Sequence, residues 1–231
     1  MRLCVLGAES TGKSELARAL AAHFAALGRP VALVTEELRE WCARAGRTPL
    51  AHEQLGIAQT QAQHVEHALL RLLRESAPKT SPEQSPPTDP IVIADTTPLM
   101  IAVYSELLFQ DLSLYDFALA HQRMYDVTLL TGLDLPWVAD GLMRDGAHVR
   151  GPVDALVRRA LTRAGLPFHV IYGEGPRRLD NALAALSLKA RALPEGNARY
   201  LGLCETCGDG ECEHRLFTAL LKSKAAACQV R

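Results

Sequence analysis

Apolar and polar positions along this chain follow two alternating periods, which together lay out a sheet and the helices that cover it. Arg2-Leu3-Cys4-Val5-Leu6 is a short and almost continuous apolar run, the pattern of a strand buried on both faces. After a polar interval, Leu16, Leu20, Phe24 and Leu27 recur at helical steps and predict a helix. Val31–Thr35 is a second strand-like run. His52–Leu73 predicts a long helix, with Leu55, Ala58, Ala62, Val65, Leu69 and Leu72 stepping three and four along one face. Ile91–Ala94, Val127–Thr131 and Phe168–Tyr172 add three strands, and Val153–Ala164 and Leu179–Leu193 add two helices. Strands alternating with helices predict an α/β fold, a doubly wound parallel sheet covered on both faces. Ligands of such sheets sit beyond the carboxyl ends of the strands, so those ends are where chemistry is sought. No internal repeat is present.

The first of these junctions is the most specific. The Arg2–Leu6 run empties into Gly7-Ala8-Glu9-Ser10-Thr11-Gly12-Lys13-Ser14, and the helix follows at once. Strand, G-x-x-x-x-G-K-[ST], helix is the phosphate-binding P-loop in its proper context. Gly7 and Gly12 permit backbone turns that aim successive N–H groups at one anion, at the positive end of the helix. Lys13 is then the residue for the β- and γ-phosphates, and Ser14 a ligand for Mg²⁺. No Asn-Lys-x-Asp guanine-reading motif occurs; the nearest segment, Thr131-Gly132-Leu133-Asp134, lacks both Asn and Lys, so ATP is the expected donor.

Composition sets the outer limits. The 231 residues are 48% hydrophobic with a net charge of −1, which supplies a sizeable core and argues against a nucleic-acid binder with a broad basic surface. No stretch approaches the twenty apolar residues of a membrane span, and the Leu3–Leu6 run leads into the phosphate loop rather than a signal-peptide cleavage site. Six cysteines in a chain of this kind read as thiols or metal ligands, and the expected location is cytoplasmic. Residues 76–90 are rich in Pro, Ser and Thr and predict a disordered surface insertion within one domain, not a domain boundary. The expected organisation is a P-loop domain over 1–193 and a Cys/His-rich extension with a helix over 194–231.

Candidate chemistry gathers at the strand ends. Asp95 ends the Ile91–Ala94 run, where the Mg²⁺-associated acid of a P-loop enzyme belongs, and it or Glu36 is the base for the acceptor hydroxyl; its plain alternative is an N-cap for the helix from Pro98 onward. Threonines at 96 and 97 stand where water-splitting ATPases often carry a glutamate, which favours transfer to a substrate hydroxyl. Glu36 ends the second strand with Arg39 three residues on: a base and an oxygen-holding cation, or a surface pair on a first helical turn. Asp134 to Gly146, followed by Arg150-Gly151-Pro152, reads as a lid over the substrate or as a solvated loop. Within it Arg144 or Arg150 is the arginine for transferred-phosphoryl charge, and Asp140 is a candidate acid for substrate hydroxyls. Trp137 either flanks a flat ring or anchors the core. Gly173 to Arg178 is either a loop bordering an adenine, with Arg178 at the nucleotide, or a helix start. Cys4 and Cys42 read as core residues.

Taken together these residues resemble the ribosylnicotinamide kinase domain of the NadR family. The resemblance covers roughly Met1 to Leu193 and rests on the G-A-E-S-T-G-K-S loop, the Glu36–Arg39 pair, Asp95-Thr96 and Pro136-Trp137-Val138-Ala139-Asp140-Gly141. It implies ATP and Mg²⁺, an acid acting on a ribose 5′-hydroxyl, a nucleoside pocket and a place in NAD biosynthesis. Departures are equally plain: Thr97 stands where the family often has a second acid, and Met143 adds a residue before Arg144. The helix-turn-helix and adenylyltransferase parts of the full-length regulator have no counterpart, so a free-standing kinase is expected. Another nucleoside or nucleotide kinase, or an ATP-dependent regulatory switch, fits the same donor site. The oligomeric state is not encoded in any of these features.

Beyond the resemblance lies Cys204-Glu205-Thr206-Cys207-Gly208-Asp209-Gly210-Glu211-Cys212-Glu213-His214. Cys204, Cys207, Cys212 and His214 are four ligands suited to a structural tetrahedral Zn²⁺, with Cys228 able to replace the histidine. The close Cys212–His214 spacing leaves two other readings open: a reduced acidic tail with incidental thiols, and a redox C-x-x-C.

Overall fold

The computed structural model describes residues 1–76, 89–138 and 146–190. Among them the strands β1 (Arg2–Leu6), β2 (Val31–Val34), β3 (Ile91–Asp95), β4 (Val127–Thr131) and β5 (His169–Ile171) form one parallel sheet in the order β2-β3-β1-β4-β5. The helices are α1 (Lys13–Ala26), α2 (Glu37–Ala45), α3 (Gln54–Glu75), α4 (Pro98–Phe109), α5 (Tyr115–Gln122), α6 (Arg150–Arg163) and α7 (Gly175–Ala190). This is the α/β architecture that the two hydrophobic periods predict.

The strands are hydrophobic on both faces because both faces are covered. Leu3 and Val5, Ile91 and Ile93, and Val127 and Leu129 point to one side, where they pack with Leu16, Ala17 and Leu20 of α1 and Ala182 and Ala185 of α7. Cys4, Leu6, Val92, Ala94 and Leu130 point to the other, against Ile57 and Val65 of α3, Leu99–Val103 of α4, Ala118 of α5 and Val153 and Val157 of α6. α4 is apolar nearly all round because it is enclosed by α3, α5 and α6 as well as the sheet. No helix among the described residues is long and apolar enough to cross a membrane.

Element ends differ from the periodicity by a few residues. The long helix begins at Gln54, after a 3-10 turn at Ala51–Glu53, because Glu53 accepts from the Leu50 N–H at 2.7 Å and holds that turn. The last helix begins at Gly175, so residues 175–178 form its first turn; of the two readings of this segment, the helix start is the one observed. The segment 77–88 and the extension from 191 onward, with Cys204, Cys207, Cys212, His214 and Cys228, lie outside the described residues.

β1 lies between β3 and β4, and its first connection leads outward past β3 to β2. The chain therefore reverses direction across the sheet at the carboxyl end of β1, where a crevice opens. Gly7, Glu36 and Asp95 follow or end β1, β2 and β3 on this same edge.

Candidate active site

The loop from Gly7 to Gly12 adopts turns that ordinary residues resist. Gly7 has φ 147° and Gly12 φ 75°, and Ser10 also sits at positive φ, 55°. Gly7 is held by space as well as by φ: a Cβ there would lie 2.0 Å from Thr131 Oγ1. Gly12 caps α1 without a side-chain acceptor, so the first N–H groups of that helix are left for an anion. Thr11 ties the loop to the sheet. Its hydroxyl lies 2.7 Å from the Ala8 carbonyl and 2.6 Å from the Thr131 hydroxyl, which in turn donates to the Leu6 carbonyl at 3.1 Å.

Lys13 is buried, and its ammonium donates to the Ala8 carbonyl at 2.8 Å. Burial pushes its pKa down, while the nearby carboxylates of Glu36 and Asp95 pull it back up. The amine thus sits between the phosphate loop and two acids of the strand ends.

Asp95 is 5% exposed, and its Oδ1 is buried without a hydrogen-bond partner among the described residues. It is not the cap of α4. Thr97 fills that role, accepting from the Leu99 N–H at 3.2 Å and donating to Gln122 Oε1 at 2.7 Å. Between them Thr96 takes φ 69°, an outlier for a β-branched residue, and its N–H donates to the Val5 carbonyl at 3.0 Å. That turn frees the Asp95 carboxylate from the helix. A buried orphan oxygen is costly alone and suits a cation, so Asp95 with Ser14 fits Mg²⁺.

A cleft runs from the loop toward α2 and α4. Lys13 and Glu36 line it, as do Arg39 and Cys42 from α2. Glu36 is the N-cap residue of α2, and Arg39 Nε lies 3.4 Å from its Oε2, so the pair is on a first helical turn and in the cleft at once. Tyr104 and Leu108 of α4 and Gln54 of α3 belong to the same lining. Cys42 is buried yet belongs to this lining, which the core reading did not anticipate.

The lid candidates separate. Trp137 is half-buried, at the root of the segment, and the next residue's N–H, Val138, donates to Ser10 Oγ at 2.8 Å. Arg150 begins α6 and donates through Nη2 to the Leu135 carbonyl at 2.8 Å, so in this structure it braces the lid root. Asp140 and Arg144 lie outside the described residues. Arg178 is 4% exposed; its Nη1 donates to the Thr11 carbonyl and its Nη2 to Asp134 Oδ1 at 2.6 Å. Asp134 Oδ2 also accepts from the Gly173 N–H at 2.6 Å. Arg178 therefore props the phosphate loop from beneath through its main chain. Asp134, Thr131 and Gln54 carry no motif signal; only their positions in the fold mark them.

A parallel sheet of this order, a glycine-framed anion loop with a buried lysine, and an acid at the end of the neighbouring strand define a P-loop domain with a kinase-type fold. A family model described as an AAA domain matches residues 2–178, and the chain belongs to that family. Its fold is similar to that of NadR in complex with NR, with TM-score 0.59 and 20% identity over 85% of this chain and 52% of that one. A second NadR structure, in complex with NAD and AMP-PNP, gives TM-score 0.56 and 20% identity over 85% of this chain and 51% of that one. Thymidylate kinase from Ehrlichia chaffeensis gives TM-score 0.53 and 12% identity, covering 80% of this chain and 98% of that one. The chain spans about half the length of the NadR structures that it matches. No curated protein matches it in sequence.

Proposed function

We propose that this chain transfers the γ-phosphoryl group of ATP to a hydroxyl of a small nucleoside-like acceptor, with nicotinamide riboside, giving its mononucleotide, as the first candidate. The observation that carries the reading is the shared position of Lys13, which belongs to the anion loop and also lines the cleft containing Glu36. A donor phosphate on the loop and an acceptor in the cleft would meet at that ammonium. The solved NadR structures bound to NR and to AMP-PNP support this choice of acceptor and donor by likeness of fold.

The residues divide the work as follows. Backbone N–H groups from Gly7 to Ser14 hold the phosphates, and Lys13 leaves the Ala8 carbonyl to neutralise charge on the transferred group. Ser14 and Asp95 would hold Mg²⁺, which supplies further charge neutralisation when bound. Glu36 lines the cleft and is the base for the acceptor hydroxyl, while Asp95, buried behind the loop, serves the metal. Arg39 orients acceptor oxygens beside Glu36. Arg150 holds the root of the lid segment over the site, and Arg178 keeps the loop in its anion-binding shape. Arg144 and Asp140, outside the described residues, keep the roles read from the sequence toward the transferred phosphoryl group and the substrate hydroxyls, and Trp137 that of a flat partner for a ring.

The fold of thymidylate kinase, matched over nearly its whole length, favours a nucleotide acceptor as the second reading. A panel of nicotinamide riboside, common nucleosides and nucleoside monophosphates, incubated with ATP–Mg²⁺ labelled at the γ-phosphate, tests both. Label appearing on nicotinamide riboside supports the first reading; label on a monophosphate alone replaces it with the second. Consumption of ATP without a labelled acceptor rejects both in favour of a nucleotide-driven switch.

A further inference from the structure

Among the polar side chains that line the cleft, Gln54 has no task in the proposed chemistry. Gln54, the first residue of α3, is 1% exposed and forms part of the cleft wall. Its Oε1 is buried and has no hydrogen-bond partner among the described residues. Leaving a buried amide oxygen unsatisfied is destabilising, and native structures rarely do so without a reason such as a ligand. A half turn about the last side-chain torsion exchanges the oxygen and nitrogen of this amide, so either atom can face the cleft.

The wall around Gln54 supports the same direction. Tyr104 and Leu108 of α4 offer apolar contact, and Pro49 and Leu38 line the same cleft. The turn before Gln54 is rigidly held: both guanidinium nitrogens of Arg47 reach Glu53 at 2.7 Å, and Glu53 accepts from the Leu50 N–H at 2.7 Å. The backbone that carries Gln54 is thereby anchored beside the cleft. The cleft lining mixes apolar Leu38, Pro49 and Leu108 with polar groups, and the Gln54 amide adds a donor–acceptor pair that suits a flat ring carrying its own donor and acceptor side by side.

Resting on the kinase reading of this cleft, we propose that Gln54 is a positioning and specificity-determining residue whose amide pairs with a planar donor–acceptor edge of the acceptor molecule. A carboxamide on an aromatic ring and the edge of a pyrimidine both present that chemistry. Both would leave the reacting hydroxyl at the Glu36 end of the cleft. A carboxylate in place of the carboxamide has no donor, so it pairs only with the Gln54 NH2 and leaves the Gln54 oxygen unsatisfied.

The experiment compares the wild type with Gln54→Leu by calorimetric titration of nicotinamide riboside, its carboxylate analogue, cytidine and uridine, and by thermal unfolding of the ligand-free proteins. Steady-state kinetics with ATP–Mg²⁺ accompany the titrations. Leucine fills the same space without polar atoms, so the ligand-free variant is expected to melt no lower than the wild type. The preferred acceptor is expected to bind it about tenfold to a hundredfold more weakly, the loss of a pair of buried hydrogen bonds. KM rises by that factor, while kcat and ATP affinity stay within about twofold. Preference for nicotinamide riboside over its carboxylate analogue identifies the carboxamide; preference for cytidine or uridine identifies the pyrimidine edge. A melting temperature that falls sharply with unchanged acceptor affinity overturns the proposal and makes Gln54 a structural residue. Failure of the wild type to bind any of the four also overturns it. Binding that depends on Gln54 without phosphorylation upholds the proposal and removes the kinase reading instead.

Discussion

Replacing Asp134 by asparagine strands the most buried charge near the phosphate loop. Arg178 is 4% exposed and is compensated by Asp134, whose side chain is 29% exposed, at 2.6 Å. Burial pushes the guanidinium pKa down, and Asp134 is the main group that restores it. Breaking a fully buried pair from one side costs about 3–5 kcal/mol, and water at the Asp134 end lowers this to about 2–3 kcal/mol. For a chain of this size that is a fall in Tm of roughly 4–12 °C. Arg178→Met is the instructive contrast. It removes the buried charge and leaves a carboxylate that water can reach and that keeps its Gly173 N–H, so about 1 kcal/mol, or roughly 2–4 °C, is expected. The double variant Asp134→Asn, Arg178→Met should resemble Arg178→Met alone, because the stranded charge is gone. Thermal unfolding of the four proteins, followed by circular dichroism, measures the cycle. Equal or additive costs for the two single changes would refute the assignment of a buried arginine compensated chiefly by Asp134.

Other expectations follow from the same geometry. Lys13→Ala should lower kcat about a hundredfold or more in the acceptor panel while leaving Tm unchanged or slightly raised, since a buried amine is removed; full turnover would reject its role. Gly7→Ala places a Cβ 2.0 Å from Thr131 Oγ1 at φ 147° and should cost about 3 kcal/mol or more, seen as insoluble or strongly destabilised protein. Glu36→Gln should reduce kcat with ATP affinity intact, and an unchanged kcat would transfer the base to another group. The Glu53 carboxyl is held down to about 2, chiefly by Arg47. A depressed carboxyl contributes stability above its unfolded value near 4.5 and loses it as pH falls toward 2. The Tm difference between the wild type and Glu53→Gln should therefore be present at pH 6 and shrink progressively below pH 4.5.

Strands and phosphate loop were legible because each is encoded locally. The runs at 2–6, 91–94 and 127–131 could only be buried strands, and G-x-x-x-x-G-K-S between a strand and a helix fixes backbone, charge and place together. Asp95 was legible through its position after an apolar run, although its freedom from capping depends on the left-handed turn at Thr96, which no residue preference announces. Arg178 was marked in the sequence as a residue bordering an adenine or starting a helix, and neither its contact with the phosphate loop nor its partner was legible. Asp134 meets it across 44 positions, and Thr11 across 167, through the packing of β5 and α7 against β4. Gln54 sits among ordinary helix-surface residues in sequence, and only the closure of α2 and α4 over the first turn of α3 buries it. Thr131, likewise, ends a strand like any other until the loop folds back to its hydroxyl. Local pattern specifies elements; the site's supporting contacts arise between elements, where periodicity is silent.

The central claim is that an anion loop and an acceptor cleft meet at Lys13 for phosphoryl transfer. The most direct test is mass-spectrometric detection of products from ATP–Mg²⁺ and nicotinamide riboside incubated with the full chain, with Lys13→Ala as control. The expected result is a phosphorylated nucleoside formed in equal amount with ADP by the wild type and absent with the variant. ADP and free phosphate without any phosphorylated nucleoside, or no turnover of ATP at all, would contradict the account.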